Sequence, residues 1–315
     1  MGRWRLLAIH VTLLTVASLT MLPLAFMVNN VFRSNREFYR SFFSIPDAFK
    51  GLARVAGAAA VGDSNEPVQV EDEQGQSRQM APGEAAGVYF RQIKRGPAMA
   101  WAVLRPYLIN SLIVSILTAL GVSVLGSSAG YILSRYRFLG SRAALVMFLA
   151  TMMFPGVLTL VPSFLLVKNL GLLNTYWAMI LPYVAGGQVF ATFVFHSFFK
   201  GLPEELFESA RMDGAGHLGL YWNIVLPLSR PVFSVVIIMN ILGTWNNFLW
   251  PFITNTDGSH HVISSGLFAL ATSQHAQNFS TMFAAYAISS VPLLILFVYA
   301  TRPFIRGMTS GAFKA

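Results

Sequence analysis

The sequence contains no cysteine and few charged residues for its length. None of the 315 residues carries a thiol, which excludes disulfides, thiolate chemistry and cysteine-based metal sites. Only 11% of the residues are charged, whereas a typical soluble domain has about 25%. Hydrophobic residues make up 55% of the chain. This composition predicts a chain whose solvent is mostly lipid.

Aspartate and glutamate are absent from the six long apolar segments of the chain. Each segment would form a helix of about 34 Å or more, enough to cross a hydrocarbon core of about 30 Å. Proton- and sodium-coupled carriers need an ionisable group at membrane depth, so the absence of carboxylates weighs against such a carrier. The six predicted spans are residues 6–28, 104–133, 143–167, 176–198, 228–252 and 282–304.

A phosphate-binding loop is missing as well. Such a loop requires Gly-Lys-Ser/Thr, and none of the lysines is followed by serine or threonine. The spans also carry no Ser/His/Asp, paired-carboxylate or His-x-x-x-His pattern, so we predict that the chain is not an enzyme and holds no cofactor. His260, His261 and His275 form the one histidine cluster, in a Gly/Ser/Thr-rich loop where a metal site is not favoured.

Lysine and arginine lie mainly at one set of span ends. Six spans put both termini on one side, and the short loops of the other side contain only Lys168. The positive-inside rule therefore predicts cytoplasmic termini. The net charge of +9 follows from these flanking residues, and no basic face with interleaved aromatics indicates nucleic-acid binding. A signal peptide is the competing interpretation of residues 6–28, but the apolar run is too long and no small-residue cleavage site follows it.

Residues 29–103 form the one sizeable polar segment. It holds acidic and basic residues alike, and its length exempts it from the positive-inside rule. Residues 67–75 alternate apolar and polar side chains before a turn, which is typical of a hairpin, although a linker is also compatible. We predict a small extracytoplasmic lobe after the first span.

The segment 200–227 has the pattern of a compact helix pair between the fourth and fifth spans. Pro203 suits a first helical turn, and Gly214 suits a left-handed helix end. Glutamates follow Pro203, where the helix dipole favours negative charge. Leu206, Phe207 and Ala210 are predicted to share one face, and Pro227 to end the second short helix.

This segment resembles the "EAA" loop of binding-protein-dependent ABC importer permeases. The motif runs Glu-Ala-Ala, three residues, Gly, nine residues, Ile-x-Leu-Pro, and Ser209 replaces its first alanine here. An ordinary interfacial amphipathic helix is the alternative. The matching residues are Glu208, Ala210, Gly214, Ile224, Leu226 and Pro227.

The resemblance extends to residues 171–178, 245–251 and 307–314, which are similar to the carbohydrate-uptake branch. The closest likeness is to the maltose-type second channel subunit. The resemblance implies an all-α integral membrane protein with about six transmembrane helices, a cytoplasmic coupling-helix loop and a small extracytoplasmic insertion after helix 1. Residues 49–96 have no clear counterpart in that family. The implied divisions are a first transmembrane helix (1–28), an extracytoplasmic loop or small lobe (29–103), the permease transmembrane core (104–304) with its coupling loop at 200–227, and a cytoplasmic tail (305–315).

The resemblance also implies the partners. The chain would sit in a bacterial inner membrane as one half of a heterodimer with a second permease subunit. Two copies of an ATPase, holding ATP and Mg, would dock on the coupling loop, and a solute-binding protein would deliver a sugar outside. The implied ATPase contacts are Glu208, Ser209, Ala210, Asp213 and Gly214, supported by Ile224, Leu226 and Pro227, with tail contacts at Gly307, Gly311 and Lys314 unless the tail is a frayed terminus.

Amides and an aromatic ring near the fifth span are candidates for a sugar path, since sugars bind amide hydrogen bonds and aromatic faces. They are Asn240, Trp245, Asn246 and Asn247. An interfacial aromatic belt is the alternative for Trp245 and Trp250. Asp257, Gly258 and Ser259 are expected to face the solute-binding protein.

Three further interpretations remain open on sequence alone. The chain could be an ABC permease for a polyamine or an amino acid. It could also be a membrane scaffold or signalling subunit. A channel or secondary carrier is disfavoured by the missing carboxylates.

Overall fold

The computed structural model describes residues 3–60, 67–71 and 76–312. Helices joined by short loops make up this part of the chain, together with one β-hairpin. A π-helical turn at Tyr221–Val225 joins α9 to α10. The elements are α1 (Arg3–Asn30), α2 (Asn35–Arg40), α3 (Asp47–Ala60), β1 (Val68–Glu71), β2 (Ser77–Met80), α4 (Pro82–Arg135), α5 (Ser141–Met152), α6 (Gly156–Asn169), α7 (Trp177–Lys200), α8 (Glu205–Met212), α9 (His217–Leu220), α10 (Leu226–Leu228), α11 (Arg230–Asn246), α12 (Leu249–Thr254), α13 (Ile263–Thr272) and α14 (Phe279–Ala312).

Four helices in the described part of the chain are long and apolar enough to cross a membrane: α1, α4, α7 and α14. Two bent pairs raise the number to six if each pair counts as one span. The all-α membrane fold with about six spans is therefore confirmed. The predicted third segment is not one continuous helix but the bent pair α5 and α6, and the predicted fifth segment is divided into α11 and α12.

Proline explains both bends. The third segment breaks between α5 and α6, which meet at 99°. Pro155 disfavours helix at the preceding residue and itself adopts φ −61° and ψ 125°. Residues His217–Leu228 and Arg230–Asn246 meet at 76°, because Pro231 has no N–H to bond the carbonyl of Pro227.

The described chain divides into two compact units. Unit 1 comprises the chain up to Arg105 with Gly266–Val291, and unit 2 comprises Pro106–Ser265 with the chain from Pro292 onward. The helix α4 is continuous from Pro82 to Arg135, so residue 103, the predicted end of the insertion, lies inside a helix and not at the end of one.

Within unit 1, the predicted hairpin is present as an antiparallel pair in which Val68 lies opposite Met80. Its turn at residues 72–75 lies outside the described residues. Val70 packs with Ala48 of α3 and with Ala85 and Tyr89 of α4 to form a small core. The insertion therefore contains a lobe with its own apolar interior.

Within unit 2, α4 and α7 approach closely where α4 carries glycines four residues apart. A Cβ at Gly126 would lie 2.6 Å from Cβ of Ala191. A Cβ at Gly130 would lie 2.8 Å from Cβ of Phe195 and 2.9 Å from the backbone N of His196. Small residues at this spacing let membrane helices pack backbone against backbone.

The loop predicted across residues 253–281 contains more structure than the sequence indicated. It includes the last residues of α12, the ten-residue helix α13, and a 3₁₀ turn at Gln274–Gln277. A helix of ten residues is about 15 Å long and too short to cross the hydrocarbon core, so hydropathy windows of membrane length do not find it.

Gly130→Ala should lower the thermal unfolding temperature of the protein in detergent or nanodiscs. The added methyl group meets a backbone nitrogen and a Cβ atom, and such overpacking costs about 1–3 kcal/mol. Gly186→Ala in α7 is the control, because no atom lies within 4 Å of its added Cβ. Equal unfolding temperatures for the two variants would contradict the close α4–α7 contact.

Candidate functional site: the loop between α7 and α11

The helix α8 ends in a Schellman motif. Gly214 adopts φ +83°. The N–H of Gly214 donates to the carbonyl of Arg211 at 3.0 Å, and the N–H of Ala215 donates to the carbonyl of Ala210 at 2.9 Å. Because a side chain at this φ would be strained, the predicted left-handed end at Gly214 is confirmed. The motif fixes the direction in which the chain leaves α8.

Three details of the predicted helix pair are wrong. Phe207 is buried, but Leu206 is exposed and does not share its face. The helix begins at Glu205 rather than at Pro203, since Glu204 is its N-cap. In the second half, the helical path continues past Pro227 to Leu228 and breaks at Ser229, for the reason given above.

Arg135, the last residue of α4, connects α4 to the loop. Its side chain is only 8% exposed and pairs with the Glu204 carboxylate at 2.7 Å. It also donates to the carbonyl of Phe199 in the last turn of α7 at 2.5 Å and to that of Leu202, just after α7, at 2.8 Å. The guanidinium carbon lies 4.0 Å from the ring centre of Phe207. One side chain therefore joins α4, the end of α7 and α8.

The next residue, Tyr136, contacts the second half of the loop. Its hydroxyl lies 2.7 Å from Nδ1 of His217 at the start of α9. The hydroxyl of Tyr221 lies 2.6 Å from Oγ of Ser127 in α4. Leu220 and Val225 are buried in the same core cluster as Phe207. Both halves of the loop are thus held against α4 and α7.

The motif residues divide into an inner and an outer set. Ala210 and Ile224 pack against the core cluster, and Leu226 is half-buried. Glu208, Ser209, Asp213, Gly214 and Pro227 are exposed. Large apolar side chains are exposed beside them: Met212 at 88%, Leu218 at 76% and Trp222 at 64%. The outer face is thus apolar with charges, a composition that suits a protein partner.

At the other end of unit 2, two loops are bound together. Asn174 adopts φ +60°, its N–H donates to the carbonyl of Thr254 at 2.9 Å, and its Oδ1 accepts from the N–H of Thr256 at 2.7 Å. The Asp257 carboxylate accepts from the hydroxyl of Ser259 at 2.8 Å and from its N–H at 3.0 Å. These bonds hold the pKa of the Asp257 carboxyl below its usual value, so this exposed loop carries a negative charge.

Asn110 of α4 anchors the same loop. Its Nδ2 donates to the carbonyl of His261 at 2.9 Å, and its Oδ1 accepts from the hydroxyl of Tyr176 at 2.7 Å. Burial lowers the pKa of His261. Gly258 adopts φ +79°, which completes the tight turn. Among the residues that the structure describes, no group of three His, Asp or Glu side chains could hold a metal ion.

The candidate sugar-path residues do not lie together on one surface. Trp245 is buried, and Asn240 donates to the carbonyl of Val236 within its own helix. Asn247 ends α11 and accepts from the N–H of Trp250 at 3.2 Å. Asn246 is exposed.

The alternative of an interfacial aromatic belt also fits poorly. Trp250, like Trp245, is buried. Its indole N–H donates to the carbonyl of Ala178 at 3.0 Å, inside a core cluster of unit 2. These two rings therefore serve the packing of this chain and leave no aromatic face open at either position.

A cavity of about 510 Å³ lies in unit 1 and includes none of the predicted site residues. Its lining is polar and contains Arg33, Glu37, Asp47 and Tyr89. The predicted tail contacts Gly307 and Gly311 lie in the helix α14, which continues to Ala312. Lys314 lies outside the described residues.

A family model and individual relatives agree on the family of this chain. The family described as "Binding-protein-dependent transport system inner membrane component" matches residues 122–310. A diacetylchitobiose uptake system permease of Streptomyces coelicolor is 37% identical over 69% of this chain and 73% of its own length. An arabinooligosaccharides transport system permease of Bacillus subtilis is 34% identical over 65% of this chain and 72% of its own.

Two further similarities bear on the solute and on the fold. An sn-glycerol-3-phosphate transport system permease of Yersinia pestis is 30% identical over 65% of this chain and 72% of its own. The structure of a bacterial ABC transporter involved in the import of the acidic polysaccharide alginate has a TM-score of 0.66 at 18% identity. That match covers 96% of this chain and 98% of the other, so the fold is shared over almost the whole length.

Arg135→Met should make the loop open more often. Hydrogen bonds to a charged group contribute about 1.5–3 kcal/mol, so amide hydrogen exchange in α8 should accelerate by about tenfold or more. The control is Arg211→Met, whose guanidinium is 46% exposed and lies 3.3 Å from Glu204. An exposed pair contributes less than about 1 kcal/mol, so exchange should change little. Equal rates of amide hydrogen exchange in α8 of the Arg135→Met variant and the parent protein would show that Arg135 does not hold α8 to α4 and α7.

Proposed function

The chain belongs to the family of binding-protein-dependent transport system inner membrane components, and we propose that its loop between α7 and α11 couples solute import to ATP hydrolysis on a separate subunit. The protein is a multi-pass membrane protein and a permease subunit of an ABC importer. The observation that carries the coupling proposal is the Arg135 junction, which ties an exposed loop rigidly to two membrane helices.

The proposed coupling works as a lever. A partner that pushes on the exposed face of α8 cannot simply bend the loop, because Phe207 is buried and Arg135 holds the start of α8. The displacement would therefore pass to α4 and α7. The sequence offers no Gly-Lys-Ser/Thr triplet of its own, so ATP and Mg would be bound by the partner.

The proposed assembly contains three kinds of protein partner. Two ATPase copies dock on the coupling loops in the cytoplasm, where both termini of this chain also lie. A second permease subunit completes the channel as a heterodimer in the inner membrane. A solute-binding protein docks outside, and the negatively charged turn of Asp257, Gly258 and Ser259 is the proposed contact. Gly307, Gly311 and Lys314 are proposed as tail contacts with the ATPase.

An oligosaccharide is the proposed solute. Relatives named for diacetylchitobiose and arabinooligosaccharides support this class. Asn246 is the sugar-path candidate with an exposed amide, and Asn240, Trp245 and Asn247 would shape its surroundings from within the chain. A glycerol phosphate is the specific alternative, because a relative named for that solute is 30% identical.

Glu208→Lys should uncouple transport from ATP hydrolysis while the protein still inserts and assembles. The exposed carboxylate faces the proposed ATPase contact, and charge reversal there replaces attraction with repulsion. The measurement is uptake and ATP hydrolysis by the complete complex in proteoliposomes. We expect a loss of binding-protein-stimulated uptake without loss of the complex from the membrane.

Glu205→Lys is the matched control, since it makes the same charge change on an exposed position of α8 outside the motif. Uptake should be largely retained. Wild-type uptake by Glu208→Lys, or an equal loss of uptake in Glu208→Lys and Glu205→Lys, would contradict the proposal that α8 acts as a coupling lever. Gly214→Asp should also uncouple because it adds a negative charge to the proposed contact face, whereas Gly214→Asn should be milder because asparagine is neutral and also tolerates the positive φ.

The solute class is tested with the complete complex and its solute-binding protein. Labelled diacetylchitobiose, arabinooligosaccharides, glycerol 3-phosphate, a polyamine and an amino acid are offered in turn. Uptake of an oligosaccharide, with stimulation of ATP hydrolysis, is the expected result. Uptake of a non-sugar solute alone would replace the proposal, and failure to copurify with any ATPase would favour a scaffold role.

A further inference from the structure

The chain turns back on itself after α1. The return segment, residues 38–45, runs beside the last turns of α1 within unit 1. Nδ2 of Asn29 donates to the carbonyl of Ser44 at 3.0 Å. The ring of Phe26 lies 5.5 Å from that of Phe42 and 5.4 Å from that of Phe43, centre to centre. Residues later in the return segment thus lie beside the end of α1, and Phe42 and Phe43 lie deeper.

The helix α1 sets the depth of these rings. Its apolar run ends at residue 28, and its side chains are exposed along most of its length, as in a lipid-facing span. Phe26 lies two residues before that end, which is about 3 Å along the axis on its apolar side. The rings of Phe42 and Phe43 contact that of Phe26. Phe42 and Phe43 therefore lie at the apolar boundary of the span.

A buried arginine holds the return segment in this position. Arg33 is 1% exposed and donates to the carbonyl of Phe42 at 2.9 Å and to Oγ of Ser44 at 3.0 Å. It also donates to the carbonyls of Glu37 and Ser41. A buried guanidinium is costly unless its donors are satisfied, and here carbonyls and hydroxyls of the turn accept from both of its terminal nitrogens. The turn is thus fixed by several bonds rather than by one contact.

The outward side of the return segment is apolar, and the described residues leave it uncovered. Tyr39 is 77% exposed, Phe42 56%, Phe43 74% and Ile45 63%. The inward side is packed, because Phe38 stacks on Phe279 at 4.5 Å and lies 5.0 Å from Phe42. A patch of this composition in water would be costly at about 25 cal/mol per Å² of apolar surface. Because the patch lies beside the lipid-facing helix α1, lipid rather than water can surround it.

We infer that the return segment is an aromatic wedge inserted into the lipid leaflet at the C-terminal end of α1. Aromatic side chains favour the membrane interface. Amphipathic segments that lie in the plane of the interface bury their apolar faces by about 5–10 Å at the boundary between headgroups and acyl chains. Phe42 and Phe43 contact Phe26 just inside the apolar boundary, which places them at such an interface. The inference rests on α1 as a membrane span and is independent of the coupling proposal. With the proposed orientation of the chain, the leaflet is the outer one.

The absence of cysteine makes the wedge directly testable. A Phe43→Cys variant of the full chain carries a single thiol for a nitroxide label. In nanodiscs containing the assembled complex, power-saturation EPR compares collisions with oxygen, which concentrates in lipid, and with a nickel chelate, which stays in water. The oxygen-to-nickel collision ratio should resemble that of a label at Leu22 of α1, which is 53% exposed.

Phe90→Cys is the matched control. Phe90 is 54% exposed in unit 1, but it lies in α4 well before the predicted span at residues 104–133. The ratio at Phe43 should be several-fold higher than at Phe90, and Phe42→Cys should repeat the result if Phe43→Cys fails to fold. A ratio at Phe43 equal to that at Phe90 would place the segment in water and overturn the wedge. Low collisions with both reagents would overturn it as well, because a protein partner would then cover the patch.

Discussion

A hydrocarbon solvent cannot hydrate a backbone carbonyl or an ionised side chain, and the architecture of this chain follows from that constraint. Two places show how side chains supply partners for exposed backbone. Pro251 cannot bond the carbonyl of Asn247, which accepts instead from Oγ of Ser264 at 2.6 Å. The carbonyls of Phe199 and Leu202, around the end of α7, accept from Arg135.

The same constraint explains how much the sequence could predict. Hydropathy finds the spans because lipid selects apolar runs of a given length, and Gly214 is identifiable because a left-handed helix end needs glycine. The bends at Pro155 and Ser229 are encoded by proline, but an apolar window counts both sides of the break at Pro155 as one segment. The helix α13 is shorter than such a window.

Contacts between distant parts of the chain were beyond sequence patterns. Arg135 reads as one more basic residue at a span end, and only the fold brings it to Glu204 and the carbonyls of α7. Trp245 and Trp250 read as belt or sugar-binding aromatics, yet tertiary packing buries both. Phe42 and Phe43 carry no periodic signal, because their depth is set by a turn that Arg33 holds.

The two ends of unit 2 are mechanically connected through α4 and α7. Asn110 and Arg135 are about 38 Å apart along α4, and each bonds the loops at its own end. Near Arg135, Gly126 and Gly130 bring α4 against Ala191 and Phe195 of α7, while Trp250 fixes the start of α7 through the carbonyl of Ala178. A pair of helices joined at both ends and in close contact between them moves as one body more easily than it shears. A displacement of α8 would therefore reach the loop of Asp257 through this pair, which is what an importer needs to open one side of the membrane as it closes the other.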